Sequence, residues 1–117
     1  MRLFIFLLFI PFLLFGQTPK ELAVNLINKK QYQSAEVLMY KYVKSNTSDK
    51  RAIELLGDAY GHQKKWDKAI EQYKKLKQLE NNNANYHYKY GGALGMKAIS
   101  VCRLKALGII GDVKKAF

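Results

Sequence analysis

The order of small and large side chains in one stretch decides the fold. Residues 53–76 read IELLGDAYGHQKKWDKAIEQYKKL. Gly57 and Tyr60 share one helical face before a polar break, and Ala69 and Tyr73 share another face after it. This order predicts two antiparallel helices that cross closely at the small residues, with the large side chains filling the space beside the crossing.

The same order of residue types recurs at a constant spacing along the chain. A shift of 34 superimposes Leu22-Ala23 on Leu56-Gly57, and Leu56-Gly57 on Tyr90-Gly91. Each copy is one helix hairpin whose apolar face needs a neighbour to cover it. We expect the small residue of each copy to lie at a close helix crossing. The predicted repeats span about 16–49, 50–83 and 84–117.

Three polar stretches mark the predicted helix ends. Thr18-Pro19-Lys20-Glu21 has the residue order of a capping box, with proline at the first helical position. Ser48-Asp49 can cap the third helix. Asn81-Asn82-Asn83 has no apolar side chain and ends the fourth helix before Ala84.

These residues carry a resemblance to a known family. The second repeat resembles the tetratricopeptide repeat, in which a large apolar residue, Leu-Gly and Tyr are followed by Ala, an aromatic residue and often Pro. The matching residues are Ile53, Leu56, Gly57, Tyr60, Trp66, Ala69, Tyr73 and Leu76, with Asn81 where the family often has Pro. The resemblance implies an all-α domain over residues 17–117, with helix hairpins stacked as a short right-handed solenoid.

The third repeat departs from this order. Arg103 stands where its second helix should place Ala. The counterpart of Trp66-to-Ala69 is Val113-to-Ala116, which lies 47 residues later rather than 34. We therefore predict an insertion of about 13 residues in this repeat. We also predict that the helix continues over 96–107. Because the last helix is incomplete at Phe117, we expect a piece of a longer repeat protein. A last turn that packs back as a cap, or a covering partner chain, are the alternatives.

The amino terminus has the composition of a secretory signal peptide. Arg2 is followed by an apolar run from Leu3 to Phe15 and then a small residue. The run is short for a membrane span and contains Pro11. We predict a signal peptide over residues 1–16, cleavage before Gln17, and export to the periplasm or cell envelope. An uncleaved anchor and a buried core helix are the alternatives.

The sequence contains no catalytic constellation. Gly91-Gly92 and Gly95 follow no predicted strand, so they form no phosphate loop, and no nucleophile turn occurs. His62, His87 and Cys102 lack the spacing of metal ligands. Cys102 lies in an apolar helical stretch and is expected to be a buried core residue. We expect no enzyme activity, cofactor, metal or small-molecule substrate.

In the tetratricopeptide family, the first helices of successive repeats line a concave groove. Carried over position by position, this groove should present Lys20, Val24, Ile27, Asn28, Arg51, Glu54, Asp58, His62, Asn85, Tyr88, Lys89 and Met96. Family members that clamp a peptide carboxylate use Lys and Asn, then Asn, then Lys and Arg. Lys20 and Lys89 fit two of those five places, and Val24, Leu55 and Asn85 occupy the others. The resemblance therefore implies a protein or peptide partner, but not one recognised by its terminal carboxylate.

The chain is strongly basic. Lys and Arg number 20 against 9 Asp and Glu, which gives a formal net charge of +11. The lysines fall mostly on second helices and turns, so a solvated outer face is the first interpretation. Attraction to an anionic envelope surface, lipid or polysaccharide, is the second. Nucleic acid is disfavoured because no reading motif is present.

The sequence thus predicts a non-enzymatic protein-interaction scaffold of the periplasm or cell envelope. The fold alone names no partner. Two alternatives stay open: a targeting or interaction module of a longer protein with a catalytic domain, and a membrane-tethered envelope assembly factor.

Overall fold

The structure, a computed structural model, describes residues 17–108, and this part of the chain contains five α-helices and no strand. The helices are α1 (Pro19–Asn28), α2 (Tyr32–Ser45), α3 (Lys50–His62), α4 (Trp66–Leu79) and α5 (Ala84–Ala106). The all-α prediction is confirmed. The predicted signal peptide and the predicted last helix lie outside the described residues. Between residues 17 and 108, no helix combines the length and the apolar content needed to cross a membrane.

Polar side chains cap the first helix of each hairpin. The Thr18 hydroxyl accepts a hydrogen bond from the Glu21 N–H at 3.1 Å, and an Asp49 carboxylate oxygen accepts one from the Ala52 N–H at 3.1 Å. Both caps agree with the predicted helix starts. The side chain of Asn83 caps α5 in the same way. These contacts satisfy backbone donors that have no partner inside the helix.

Two described turns share one backbone geometry. Lys30 and Lys64, at equivalent positions of the first two repeats, both have a φ of 62°, in the left-handed region. In each turn the N–H of the following residue donates to the carbonyl oxygen five residues before it. Gln31 N donates to Leu26 O at 2.8 Å, and Lys65 N donates to Tyr60 O at 3.0 Å. This closure ends the first helix of the hairpin. The left-handed conformation costs a non-glycine residue about 1–2 kcal/mol. Packing of each hairpin therefore has to offset this cost once, at Lys30 in the first and at Lys64 in the second.

Helices that are consecutive in the chain pack against each other, and α1 also contacts α3. Stacked hairpins have this arrangement because each first helix lies against its own second helix and against the next hairpin. The core runs along the stack, and its largest fully buried side chains are Met39, Ile53, Leu56 and Leu76. The tetratricopeptide-like stacking implied by the sequence is therefore present in the described helices.

The close crossing predicted at Gly57 is confirmed. A Cβ atom on Gly57 would lie 2.5 Å from Cε1 of Tyr73, so α3 and α4 approach as closely as they do only because this side chain is absent. The same prediction for Gly91 is wrong for the described residues, because a Cβ there meets nothing within 4 Å. Gly57 and Gly91 are at equivalent repeat positions, but only Gly57 lies at a close helix crossing.

Helix α5 is 23 residues long, against 10 to 14 for the other helices. The counterpart of Lys30 and Lys64 in the third repeat is Ala98, which is helical. Alanine is the best helix former. The helix therefore continues to Ala106, in agreement with the continuation predicted from the sequence.

The second half of α5 is open to solvent in the described structure. Ile99, Val101 and Leu104 are 46%, 45% and 38% exposed. Cys102 is also exposed, so the expectation of a buried core cysteine is wrong. The physical reason is that, among residues 17–108, no helix packs over this part of α5.

Candidate partner-binding groove

Predicted groove residues of α3 and α5 meet around one buried carboxylate. Glu54 is 8% exposed. It accepts hydrogen bonds from Arg51 Nη1 at 2.9 Å and from Asn85 Nδ2 at 2.9 Å, and it forms an ion pair with Lys89 Nζ at 2.8 Å. Burial raises the pKa of Glu54, but the hydrogen bonds from Lys89 and Arg51 outweigh burial and hold the pKa below its ordinary value. The carboxylate is therefore ionised and compensated.

A second carboxylate, Asp58, lies one turn further along α3. Lys89 Nζ donates to its two oxygens at 2.9 and 2.8 Å, and the Tyr73 hydroxyl donates to it at 2.6 Å. Burial, followed by the charge of Asp58, raises the pKa of the Tyr73 hydroxyl above its ordinary value. Burial lowers the pKa of Lys89, but the contacts to Asp58 and Glu54 outweigh it and raise the pKa. Lys89 thus links α5 to both acids of α3.

An open cleft of about 810 Å³ lies beside this network. Its lining residues are Asp58, Gly61, His62, Trp66, Tyr73, His87, Tyr88, Lys89, Gly91, Gly92, Ala93 and Met96. Five of the predicted groove residues are among them: Asp58, His62, Tyr88, Lys89 and Met96. Tyr88 is 78% exposed, and Gly91 and Gly92 leave the backbone of α5 bare along one wall. We call this space the α3–α5 cleft.

The predicted groove residues of α1 do not line the α3–α5 cleft. Lys20 donates to Asp49 at 2.9 Å, so it ties α1 to the residue that caps α3. Val24 and Ile27 are partly buried against the core, and Asn28 is exposed. Three of these four α1 positions therefore support helix packing at the first repeat.

Several residues that shape the cleft are missing from the predicted groove set. Trp66 and Tyr73 come from α4, and the sequence identified them only as fillers of the hairpin core. His87 also lines the cleft, and its Nε2 lies 2.6 Å from the Asn81 carbonyl oxygen. His62, which was predicted, stacks on Tyr32 with ring centroids 4.5 Å apart. Tyr32 and Trp66 occupy equivalent positions of their repeats, and this spacing could have predicted an aromatic side chain at the same end of each hairpin.

The cleft is lined by one acid among the described residues, Asp58, whose oxygens accept hydrogen bonds from Lys89 and Tyr73. Within residues 17–108, no group of three His, Cys, Asp or Glu side chains is placed to hold a metal ion. An aromatic and apolar wall beside a compensated polar floor is typical of a recognition surface.

The comparison with protein families agrees with the repeat architecture. The model of the family described as anaphase-promoting complex, cyclosome, subunit 3 matches residues 28–95, which are 68 of the 117 residues. The matched stretch includes all of α2, α3 and α4 and the first half of α5. A comparison with curated proteins finds no match.

Proposed function

This chain belongs to the family described as anaphase-promoting complex, cyclosome, subunit 3, a family of tetratricopeptide-like repeats, and we propose that it is a non-enzymatic interaction scaffold. It holds a segment of a protein partner in the α3–α5 cleft. The observation that carries the proposal is the cleft itself, where aromatic side chains stand open beside a floor of paired charges.

The charges of the floor indicate which kind of partner side chain fits. Glu54 and Asp58 are compensated by Arg51 and Lys89 through contacts of 2.8 to 2.9 Å. A charged partner group would have to break those contacts, whereas an apolar or aromatic group can lie on Tyr88 without doing so. We therefore expect the partner to insert an apolar side chain, since exposed aromatic residues contribute a large share of binding energy at interfaces.

Site-specific cross-linking tests this proposal. A photoreactive amino acid at position 88, in the chain expressed in its own cell, should link to a partner that mass spectrometry can map to a short segment. The synthetic segment should bind the purified chain in calorimetry. Tyr88→Ala should weaken that binding about tenfold or more, since truncating a hot-spot aromatic residue costs about 2 kcal/mol.

Tyr40→Ala is the matched control, because Tyr40 is a half-exposed tyrosine on α2 and lies outside the cleft. Both variants should keep the helical circular dichroism of the parent chain. Equal effects of the two substitutions, or full affinity of Tyr88→Ala for the mapped segment, would exclude the cleft as the binding site.

We also propose that the scaffold works after export, in the periplasm or cell envelope. The support is the charged, apolar and small-residue order of residues 1–16. Cell fractionation should recover the chain with the envelope, and amino-terminal sequencing of that fraction should begin at Gln17. A mature protein that begins at Met1 would contradict cleavage, and recovery only inside the cell would contradict export.

A further inference from the structure

The lysines of α2 and α4 differ from the charged residues of α3 in their pairing. The acids of α3 and of its capping residue are used in ion pairs, such as Glu54 with Arg51 and Asp49 with Lys20. Helices α2 and α4 carry six lysines, and no ion pair recorded within residues 17–108 uses any of them. These lysines are Lys41, Lys44, Lys68, Lys74, Lys75 and Lys77.

The few acids on the same two helices do not cancel this charge. Glu36 pairs with Lys65 at 2.8 Å, and Asp67 pairs with Lys97 at 2.6 Å. Both of these lysines lie outside α2 and α4, so only Glu71 remains to offset the six lysines within the two helices. The outer side of α2 and α4 therefore has a strong local excess of positive charge, consistent with the net charge of the chain.

Apolar and aromatic side chains are interleaved with the lysines. Val37, Tyr40, Lys41 and Lys44 follow one another at helical spacing on α2, and Val37 and Tyr40 are 60% and 50% exposed. The equivalent surface of α4 presents Lys74, Lys75 and, at its end, the 46% exposed Leu79. We call these seven residues the outer basic face. Lysine beside tyrosine and aliphatic side chains is the composition of helices that lie at a membrane surface.

From the lysines unpaired within residues 17–108 and the apolar side chains between them, we propose that the outer basic face docks on an anionic phospholipid bilayer. The lysines meet the headgroup phosphates, and Val37 and Tyr40 enter the interface between them. An acidic polysaccharide would attract the same lysines but offers no apolar layer for Val37. None of the seven residues of the outer basic face lines the α3–α5 cleft, so this proposal does not depend on the proposed function.

Vesicle co-sedimentation tests the proposal with the chain that begins at Gln17. This chain keeps the whole described core, because every buried residue lies between Ala23 and Ala93. It should sediment with vesicles of phosphatidylglycerol and phosphatidylcholine but not with pure phosphatidylcholine. The partition coefficient should fall as salt is raised from 50 to 300 mM, since exposed charges are screened.

Lys41→Glu/Lys44→Glu/Lys74→Glu/Lys75→Glu should lower this partition coefficient by at least about a hundredfold, because four lysines that each contribute about fivefold near an anionic surface multiply to about 600-fold. The matched control, Lys29→Glu/Lys30→Glu/Arg103→Glu/Lys105→Glu, has the same net charge and should lose much less. Replacement of the four outer lysines by glutamine gives the same comparison if charge reversal unfolds the chain.

Val37→Ser/Tyr40→Ser should weaken vesicle binding several-fold while leaving retention on a heparin column unchanged. Equal losses in the two charge-reversed sets would overturn the proposal, because net charge alone would then explain binding. Equal binding to charged and uncharged vesicles would also overturn it. Heparin retention without vesicle binding would assign the face to an acidic polysaccharide instead.

Discussion

Helices α3 and α5 begin alike and are packed very differently. Residues at equivalent repeat positions are buried in both helices, Ala52 with Tyr86 and Ala59 with Ala93. Helix α3 also buries residues on its other faces, because both α2 and α4 pack against it. Helix α5 buries only two residues, because α4 is the one second helix of a hairpin that packs against it within the described residues. The same residue order therefore gives a core helix in one place and a half-open helix in the other.

The glycines make the contrast sharp. Gly57 is required because the Tyr73 ring occupies the space where its side chain would be, whereas Gly91 has free space around it. A glycine at this repeat position allows another helix to pack closely against it. The glycine contributes to stability only where such a helix is present, as it is at Gly57. Paired substitutions in α3 and α5 can test this interpretation.

The largest expected effect comes from the two isoleucines of α3 and α5. Ile53 is fully buried and Ile99 is 46% exposed. Ile53→Ala should lower the free energy of unfolding by about 2–5 kcal/mol, because it removes buried methyl groups and leaves a cavity. Ile99→Ala should change it by no more than about 0.5 kcal/mol. Urea denaturation followed by circular dichroism measures both, and similar losses would show that α5 is covered over its second half.

The glycine pair should give effects of opposite sign. Gly57→Ala should destabilise the fold by about 1–3 kcal/mol, because the new Cβ overlaps the buried ring of Tyr73. Gly91→Ala should stabilise it by about 0.5–1 kcal/mol, because alanine is the better helix former and meets nothing. Thermal unfolding of both variants checks the signs. Destabilisation by Gly91→Ala would reveal a close neighbour at that position.

The ion pairs between α3 and α5 should contribute a smaller, pH-dependent term. Lys89→Met should cost about 1–2 kcal/mol at pH 7, because it leaves Glu54 and Asp58 with fewer donors. The lowered pKa of Glu54 adds stability that is present above its ordinary pKa of about 4.3 and is lost as pH falls through the lowered value. The raised pKa of Lys89 adds stability that is lost only as pH rises above about 10.4.

Unfolding free energies of the parent chain and Lys89→Met at pH 7 and pH 3 measure this term. The variant should lose less stability on acidification, because Glu54 no longer gains from Lys89. Identical acid losses in the two proteins would mean that the contacts between α3 and α5 do not hold in solution, and the resemblance of α5 to α3 would then be one of sequence only.

The smallest expected effect concerns the start of α5. Asn83 accepts a hydrogen bond from the Tyr86 N–H at 3.3 Å. Asn83→Ala should lower the free energy of unfolding by about 1 kcal/mol, as the loss of a helix cap does. Asn82→Ala, at an exposed neighbouring position, is the control and should have little effect. Equal effects would mean that this cap contributes nothing.

Local sequence signals predicted most of the helices, because caps, turns and apolar spacing act within one helix or one hairpin. The starts at Thr18 and Asp49, the crossing at Gly57 and the continuation of α5 could all be read from neighbouring residues. The exposure of Gly91 and Cys102 could not, because it depends on whether another helix covers α5.

The candidate site was predictable in part for the same reason. The positions of first helices in the repeat identified Glu54, Asp58 and Lys89, but no spacing rule indicates that one lysine bridges both acids. That contact depends on the distance between stacked helices. Trp66 was predicted as packing and also lines the cleft, because an aromatic ring at the edge of a hairpin has one face in the core and one outside it.

The left-handed conformation of Lys30 and Lys64 determines where the next helix of the chain lies. Each of them, together with the non-helical residue that follows it, reverses the direction of the chain, so that the next helix lies back along the first and adds a layer to the stack. Where Ala98 keeps the helical rotation, the chain extends outward by about 1.5 Å with every further residue. The backbone conformation of these few turn residues thus decides whether the stack gains a layer or the helix becomes longer.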